Sequence, residues 1–190
     1  MGRRRGPGSA VRPRDETAFQ STINEEMSDL QSSGEPITVR AYRSTDAGML
    51  SAVFYASVRT IARRDYAEDQ VRAWAPDVVD LDEFGERRAA TSTWVAEIAG
   101  EIGGFSDCAV DGHIGMLYVR PDFQRRGVAR ALLTHIEDTA RSRGLDRLYT
   151  EASITARPVF IALGFAELSE QSVTRSGIAL TNYRMEKRLV

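Results

Sequence analysis

The chain reads as an α+β domain: a mixed, mostly antiparallel twisted sheet with helices packed on its faces. Three observations predict this. Short alternating or apolar segments recur with turn residues between them, as strands do. Two longer runs place apolar residues at helical spacing. One strand–helix–strand unit, residues 112–153, calls for a parallel pair with a right-handed crossover, while hairpins elsewhere make the remaining pairs antiparallel.

The elements follow in order. ITVRAYR, from Ile37, alternates as a strand does. Ser44, Thr45 or Asp46 can cap the next helix, in which Leu50, Val53, Phe54, Ser57, Val58 and Ile61 share a face. YAEDQVRAWAPD supplies a short second helix that stops before Pro76. LDEFGERRAA reads as a helical turn or loop. TWVAEI and IGGFSD are two strands joined by a tight Ala-Gly-Glu turn, and GHIGMLYV is one further strand. Val128, Leu132, Ile136 and Ala140 form an i, i+4 row in a helix running from Gly127 to Arg143, with Gly144 placed as its C′ residue. RLYTEAS is a strand, TARPVFIAL a short helix, and ELSEQSV with IALTNYRMEK a closing hairpin.

The first 35 residues read differently. MGRRRGPGSAVRPR carries five arginines and no acid, and the next 21 residues carry six acids and no base. Apolar residues there are sparse, so this segment is expected to be a disordered extension ahead of a domain spanning 36–190. The whole chain has 25 basic and 27 acidic residues in 190, which points to neither nucleic acid nor membrane. No run of about 18 apolar residues exists. Cys108 is the single cysteine and fits a reducing, cytoplasmic setting. One Cys and two distant His supply no metal site.

The stretch VRPDFQRRGVARALL concentrates positive charge at a helix start, where it is mildly unfavourable unless an anion sits there. Amides of the first helical turn lack intrahelical partners, and Gly127 leaves the backbone open to close approach. Either a polyanion binds here or this is an ordinary solvated helix start. No GxxxxGK[ST] or GxGxxG pattern offers another phosphate loop.

QRRGVA, Gln124 to Ala129, resembles the Q/R-x-x-G-x-G/A acyl-CoA loop of the GNAT (Gcn5-related) N-acetyltransferases. MLYV before it, the helix after it, the AEIAGEIGGF hairpin and the ending VFIALGF fall where that family has them. The resemblance covers roughly Ile37 to Leu189 and is nearest to small bacterial acetyltransferases inferred from sequence. It implies the three-layer GNAT acyl-CoA N-acyltransferase fold, acetyl-CoA as co-substrate and no metal. It further implies that Leu117, Tyr118 and Val119 offer backbone groups to the pantetheine arm. Gln124, Arg125, Arg126, Gly127, Val128, Ala129 and Arg130 would hold the pyrophosphate. Where the family often has an Asn and, seven residues on, a Tyr, this chain has Ser153 and Phe160. Ser153 can still hydrogen-bond the cofactor arm, whereas Phe160 cannot protonate a leaving thiolate. The related branch tends to carry Asp at Gly115, so one carboxylate is also missing.

Deprotonating a lysine-like amine at pH 7 costs about 4.6 kcal/mol, against roughly 2 kcal/mol for expelling a thiolate. A base therefore matters more than an acid. Glu151, in a strand expected to be central and buried, is the first candidate; burial would raise its pKa. His113, at the entry to the strand ending in MLYV and on one face with Gly115, Leu117 and Val119, is the second. Tyr183 could act as an acid if the last hairpin folds over the site. His135 is expected to be solvated and Tyr118 to pack. Tyr55, Tyr66 and Trp74 with Asp65, Glu68 and Asp69 form either an aromatic, acidic acceptor wall or simply core residues beside solvated acids.

The reading that results is acetyl transfer from acetyl-CoA to a primary amine by direct attack in a ternary complex. The alternative, supported by Phe160 and Gly115, is a non-catalytic acyl-CoA-binding regulatory module. The expected partner is a small-molecule or peptide amine, with no nucleic acid and no membrane; a homodimer is compatible with the sequence.

Overall fold

Eight strands and five α-helices are found among the described residues, which are 35–76 and 80–189 of the computed structural model. The expectation of a disordered arm over 1–35 lies, Glu35 apart, outside the described residues. Strands β1 (Ile37–Ala41), β2 (Ser92–Ile98), β3 (Glu101–Cys108) and β5 (Leu117–Val119) make one sheet in the order β1-β2-β3-β5. Strands β4 (His113–Ile114), β6 (Arg147–Ser153), β7 (Ala166–Arg175) and β8 (Ile178–Arg188) make the other, in the order β4-β6-β8-β7. The expected parallel pair is β4 with β6, His113 opposite Tyr149; every other pair is antiparallel. The turn between β2 and β3 is tight because Ala99 and Gly100 both take positive φ, 52° and 79°, which matches the twist of the flanking strands.

Helices α1 (Ala47–Ala56), α2 (Glu68–Trp74), α3 (Leu81–Ala90), α4 (Val128–Ser142) and α5 (Arg157–Ala162) cover these sheets. Alternation along the strands decides which helix lies on which face. In β2, Val95 packs with Leu50 and Val53 of α1 and with Phe105, while Ala96 and Ile98 pack with Val128 and Leu132 of α4. The first sheet thus has α1 and α3 on one side and α4 on the other. In the second sheet Leu148, Ala152 and Met185 face Leu133, Ile136 and Ala140 of α4 and Phe160 of α5. Gly127, with φ +90°, precedes α4, and Gly144, with φ +75°, follows its last turn at the predicted place.

Two expectations are corrected. LDEFGERRAA is a full helix, α3. Asp80 caps it by accepting from the amides of Asp82 and Glu83, both 3.0 Å, and Asp82 and Glu83 at its start with Arg87 and Arg88 at its end suit the helix dipole. Secondly, GHIGMLYV is not one strand. It breaks at Gly115–Met116, so that β4 pairs with β6 whereas β5 pairs only with β3. The two sheets part at that point.

Lys187, the only lysine in the chain, ties α4, β8 and the end of α5 together. Its Nζ lies 2.5 Å from Glu137 Oε1 and donates to the Leu163 carbonyl at 2.8 Å. Glu137 retains only a weak second partner, Arg141 at 3.4 Å. Lys187→Met is expected to destabilise the fold by about 1–2 kcal/mol, less than the ~3–5 of a fully buried pair because the lysine side chain keeps 21% exposure. Thermal denaturation should show Tm lower by about 3–8 °C, with part of the loss recovered in Lys187→Met/Glu137→Gln.

Candidate functional site

The parting of the sheets opens a cleft between β5 and β6. Its sheet walls are Gly115 and Leu117–Val119 on one side and Thr150–Ser153 on the other. Gln124 and Ala129 at the start of α4, with Ala156, Val159 and Phe160 around α5, line it on one face. Ser57, Val58, Ile61 and Ala62 of the segment after α1, and Trp74 of α2, line it on the opposite face. Residues 57–61 form a π-helical turn, which widens the backbone where it meets the cleft.

Strand β5 is the free edge along this gap. Asp107 N–H bonds the Met116 carbonyl at 3.1 Å, and Arg120 N–H bonds the Gly103 carbonyl at 2.8 Å. Positions 116, 118 and 120 therefore turn their backbone toward β3, and 117 and 119 turn theirs toward the cleft. This corrects one expectation: the Tyr118 backbone is engaged by β3, so only Leu117 and Val119 offer groups to a ligand. The Val119 carbonyl already accepts from Ser57 Oγ at 2.5 Å. The Tyr118 ring packs as expected, edge-on to Phe54 at 4.9 Å, and its hydroxyl accepts from Trp74 Nε1 at 3.2 Å. Burial pushes its pKa up to about 12.

At the start of α4 a 3₁₀ turn, Pro121–Phe123, buries Phe123 beneath the guanidinium groups of Arg120 and Arg126, 4.1 and 4.7 Å from its ring centre. Arg125 (φ 61°) and Gly127 (φ 90°) are both left-handed, an arrangement that gathers successive amides into an anion-binding concavity. The first backbone bond of the helix runs from Ala131 N–H to the Gly127 carbonyl, 3.0 Å, so the earlier amides lack a helical acceptor. Val128 is buried in the core and serves the loop only through its backbone. Arg126 meets Glu35 at 3.2 Å, while Arg125 and Arg130 are exposed. A Cβ at Gly127 would meet only Ile37 Cδ1, at 3.4 Å; it is the positive φ that demands glycine there.

Glu151 and His113 come together. Glu151 Oε2 lies 2.6 Å from His113 Nε2, with the side chains 38% and 34% exposed. The expectation that Glu151 is buried is thereby corrected. Along β6, Leu148, Thr150 and Ala152 are buried against the α4–α5 side, which turns Tyr149 and Glu151 to the other face. His113 stacks on Tyr149, centroids 4.9 Å apart; Tyr149 donates to Asp111, and Asp111 Oδ1 accepts the His113 amide at 3.2 Å. His113 does not share a face with Leu117 and Val119, because the break at Gly115–Met116 interrupts the alternation: Leu117 and Val119 pack toward α4. Glu151 is the one acidic residue among those lining the cleft.

Other candidates are placed differently. Tyr183 sits opposite Ala152 and Glu170 across the strands, with Arg157 4.8 Å over its ring, and does not line the cleft. Phe160 is 2% exposed and packs edge-on to Phe165 at 5.0 Å, yet borders the cleft. Ser153 Oγ accepts from Ala156 N–H at 3.0 Å, leaving its hydroxyl proton for another partner. Tyr66 is core: its hydroxyl donates to the Thr181 carbonyl at 2.6 Å and accepts from Ile154 N–H at 2.9 Å. Tyr55 bonds the Pro76 carbonyl and Asp65 bonds Thr155, so no acidic, aromatic wall forms. Trp74 alone of that set lines the cleft. His135 is not solvated; its ring meets Trp94 at 4.3 Å and its Nε2 is buried. Burial raises the Cys108 thiol to about 11. Among the described residues no group of three or more His, Cys, Asp or Glu could hold a metal.

Sequence reasoning missed Arg88 and Asp107. Arg88 Nη1 meets Asp107 Oδ2 at 2.9 Å, with side chains 8% and 6% exposed. Asp107 Oδ1 accepts the amides of Gly115 (2.9 Å) and Met116 (2.8 Å), the two residues of the strand break. Burial pushes the Asp107 carboxyl up, while Arg88 and these amides pull it back. A Cβ at Gly115 would lie 3.1 Å from Asp107 Oδ1, a tight contact to which the carboxylate would have to give by a few tenths of an ångström.

The chain is similar in sequence and fold to known proteins. Residues 62–187 match the family described as "Acetyltransferase (GNAT) domain". An uncharacterized N-acetyltransferase of Escherichia coli (strain K12), YafP, is 35% identical over 149 residues, covering 78% of this chain and 94% of that protein. A crystal structure from Rhodopseudomonas palustris, described as a GCN5-related N-acetyltransferase, aminotransferase class-II, superposes with a TM-score of 0.77. It is 34% identical, over 80% of this chain and 95% of that one. PaiA N-acetyltransferase from Thermoplasma acidophilum in complex with coenzyme A shares the fold, with a TM-score of 0.66 and 15% identity over 80% and 99% of the two chains. No helix among the described residues is long and apolar enough to cross a membrane.

Gly115→Asp sets a second carboxylate against Asp107. The variant is expected to lose about 1–3 kcal/mol at pH 7. Repulsion raises the folded-state pKa of the pair above the ordinary carboxylate value of about 4, so the loss should begin to shrink as pH falls through that raised value and vanish below about 4. Denaturant unfolding at pH 7 and pH 5 checks both the size and the sign.

Proposed function

The chain belongs to the GNAT family of acetyltransferases, and on that premise we propose that it transfers acetyl from acetyl-CoA to a primary amine by direct attack in a ternary complex. The diphosphate of CoA lies on the amides of the Gln124–Arg130 loop, with Arg125, Arg126 and Arg130 contributing charge around it. The pantetheine arm runs along the free edge of β5, using Leu117 and Val119, and passes Ser153. The thioester then lies in the gap between β5 and β6.

The observation that carries this reading is the Glu151–His113 pair, a carboxylate in a cleft otherwise without acidic lining and bordered by the anion loop. Glu151 attracts the cationic acceptor and, directly or through a water, removes a proton from its nitrogen; its other oxygen stays on His113. The amine nitrogen then bonds to the carbonyl carbon, and the negative charge developing on the carbonyl oxygen is met by the Leu117 N–H. Collapse breaks the C–S bond and releases CoA as a thiolate, which takes a proton from solvent, since Phe160 has none to give. Cys108, buried and with its thiol raised to about 11, is no nucleophile at neutral pH, which favours direct attack over an acetyl-enzyme.

Glu151→Gln is expected to lower kcat about 10²-fold or more, and His113→Gln less, with CoA affinity within twofold of the parent in both. A thiol-release assay over amine acceptors and calorimetry with CoA provide the two readouts. An unchanged rate in Glu151→Gln would remove it from the reaction. Gly127→Val should abolish CoA binding by calorimetry, because it forces a β-branched residue to positive φ, costing about 1–3 kcal/mol locally, and also blocks the amides.

The second reading, a module that binds acyl-CoA without turnover, draws on the buried Phe160 and the bare Gly115. Tight CoA binding with no thiol release from any amine class would select it.

A further inference from the structure

The Met116–Leu117 peptide is held from the β3 side by two donors. Its carbonyl accepts from Ser106 Oγ at 2.6 Å and from Asp107 N–H at 3.1 Å. Ser106 is fully buried. The preceding amides of Gly115 and Met116 are both held by Asp107 Oδ1, and Asp107 is itself held by Arg88. In a trans peptide the C=O and N–H point in opposite directions, and no cis bond occurs among the described residues. Pinning the Met116 oxygen to β3 therefore aims the Leu117 N–H into the cleft. Two donors on one carbonyl also polarise the peptide and make its N–H a stronger donor.

We infer that Ser106, Asp107 and Arg88 are positioning residues for acetyl transfer: together they orient and polarise the Leu117 amide toward the thioester carbonyl oxygen. None of the three touches the substrate. The inference rests on the reading that acetyl-CoA binds in the cleft with its carbonyl at Leu117. It assigns a task to a buried ion pair that would otherwise be a stability feature alone, and it explains why Arg88 is placed in α3, across the first sheet from the CoA loop.

The test is isotope-edited infrared spectroscopy of [1-¹³C]acetyl-CoA bound to the full chain without acceptor, read beside steady-state kinetics. In the parent protein the bound carbonyl stretch should fall below its value in solution, reporting polarisation. Ser106→Ala, which removes one hydroxyl and leaves the Asp107 amide bond in place, should recover part of that shift and lower kcat about tenfold, less than the 10²–10³ of losing an oxyanion donor outright. CoA affinity should stay within twofold. Asp107→Asn should recover more of the shift, and should lower kcat further at equal CoA affinity. A full carbonyl shift in Ser106→Ala together with parental kcat overturns the inference, and so does an unshifted carbonyl in the parent that nevertheless binds acetyl-CoA. Failure of the parent to bind acetyl-CoA at all would overturn the proposed function itself. Should Asp107→Asn not fold, Ser106→Ala with its infrared signature decides the matter alone.

Discussion

The arrangement of this protein turns on one buried contact, the ion pair of Arg88 with Asp107, and on what Asp107 does with its other oxygen. Two amides of consecutive residues, Gly115 and Met116, are satisfied by a side chain instead of by a neighbouring strand. A strand whose amides are taken this way cannot continue its ladder with β6. So β4 stays beside β6 and β5 leaves it, and the gap between them is the cleft. These bonds give two N–H groups that leave the β6 ladder a partner on the β3 side. The break is thus a satisfied feature of the fold, and the carboxylate that satisfies it is held by a guanidinium from a helix on the opposite side of the sheet from α4.

From that break the functional geometry follows. The edge of β5 acquires free backbone groups at Leu117 and Val119, and the helix that begins nine residues after Val119 presents its unpaired amides at one end of the same gap. On the opposite face of the cleft the π-helical turn after α1 supplies Ser57, which bonds the Val119 carbonyl and ties the front helices to the free edge. Thr150 Oγ1 donates to the Ile114 carbonyl at 2.8 Å, which fixes β6 against β4 just before the sheets diverge. Glu151 is the next residue. Its carboxylate is consequently carried at the mouth of the gap, where His113 orients it and water can still reach it.

The departures from the family pattern become intelligible together. Phe160 belongs to the core under α5, packed on Phe165, so a hydroxyl there would need a partner of its own. A side chain at Gly115 would press closely on the Asp107 carboxylate. On the proposed function, each change removes a polar group that the family pattern has there and puts more of the reaction on the Glu151–His113 pair and the backbone of β5.

The amino-acid sequence by itself determined most of the elements and the glycine-marked start of α4. Periodicity marked β6 and α4 nearly residue for residue, Gly127 and Gly144 marked the ends of α4, and QRRGVA lies where amides of a helix start are unpaired; these are local properties, set by neighbours a few positions away. Tertiary structure alone decided the rest. Arg88 and Asp107 lie 19 positions apart in unrelated segments, and neither residue carries a local sign of a buried pair. The break in GHIGMLYV depends on a carboxylate from another strand. The meeting of His113 with Glu151 requires the parallel register of β4 and β6, in which the chain returns to the same place 38 positions later. Side chains that act on one another across such separations are brought together by packing and pairing, which no spacing along the chain encodes.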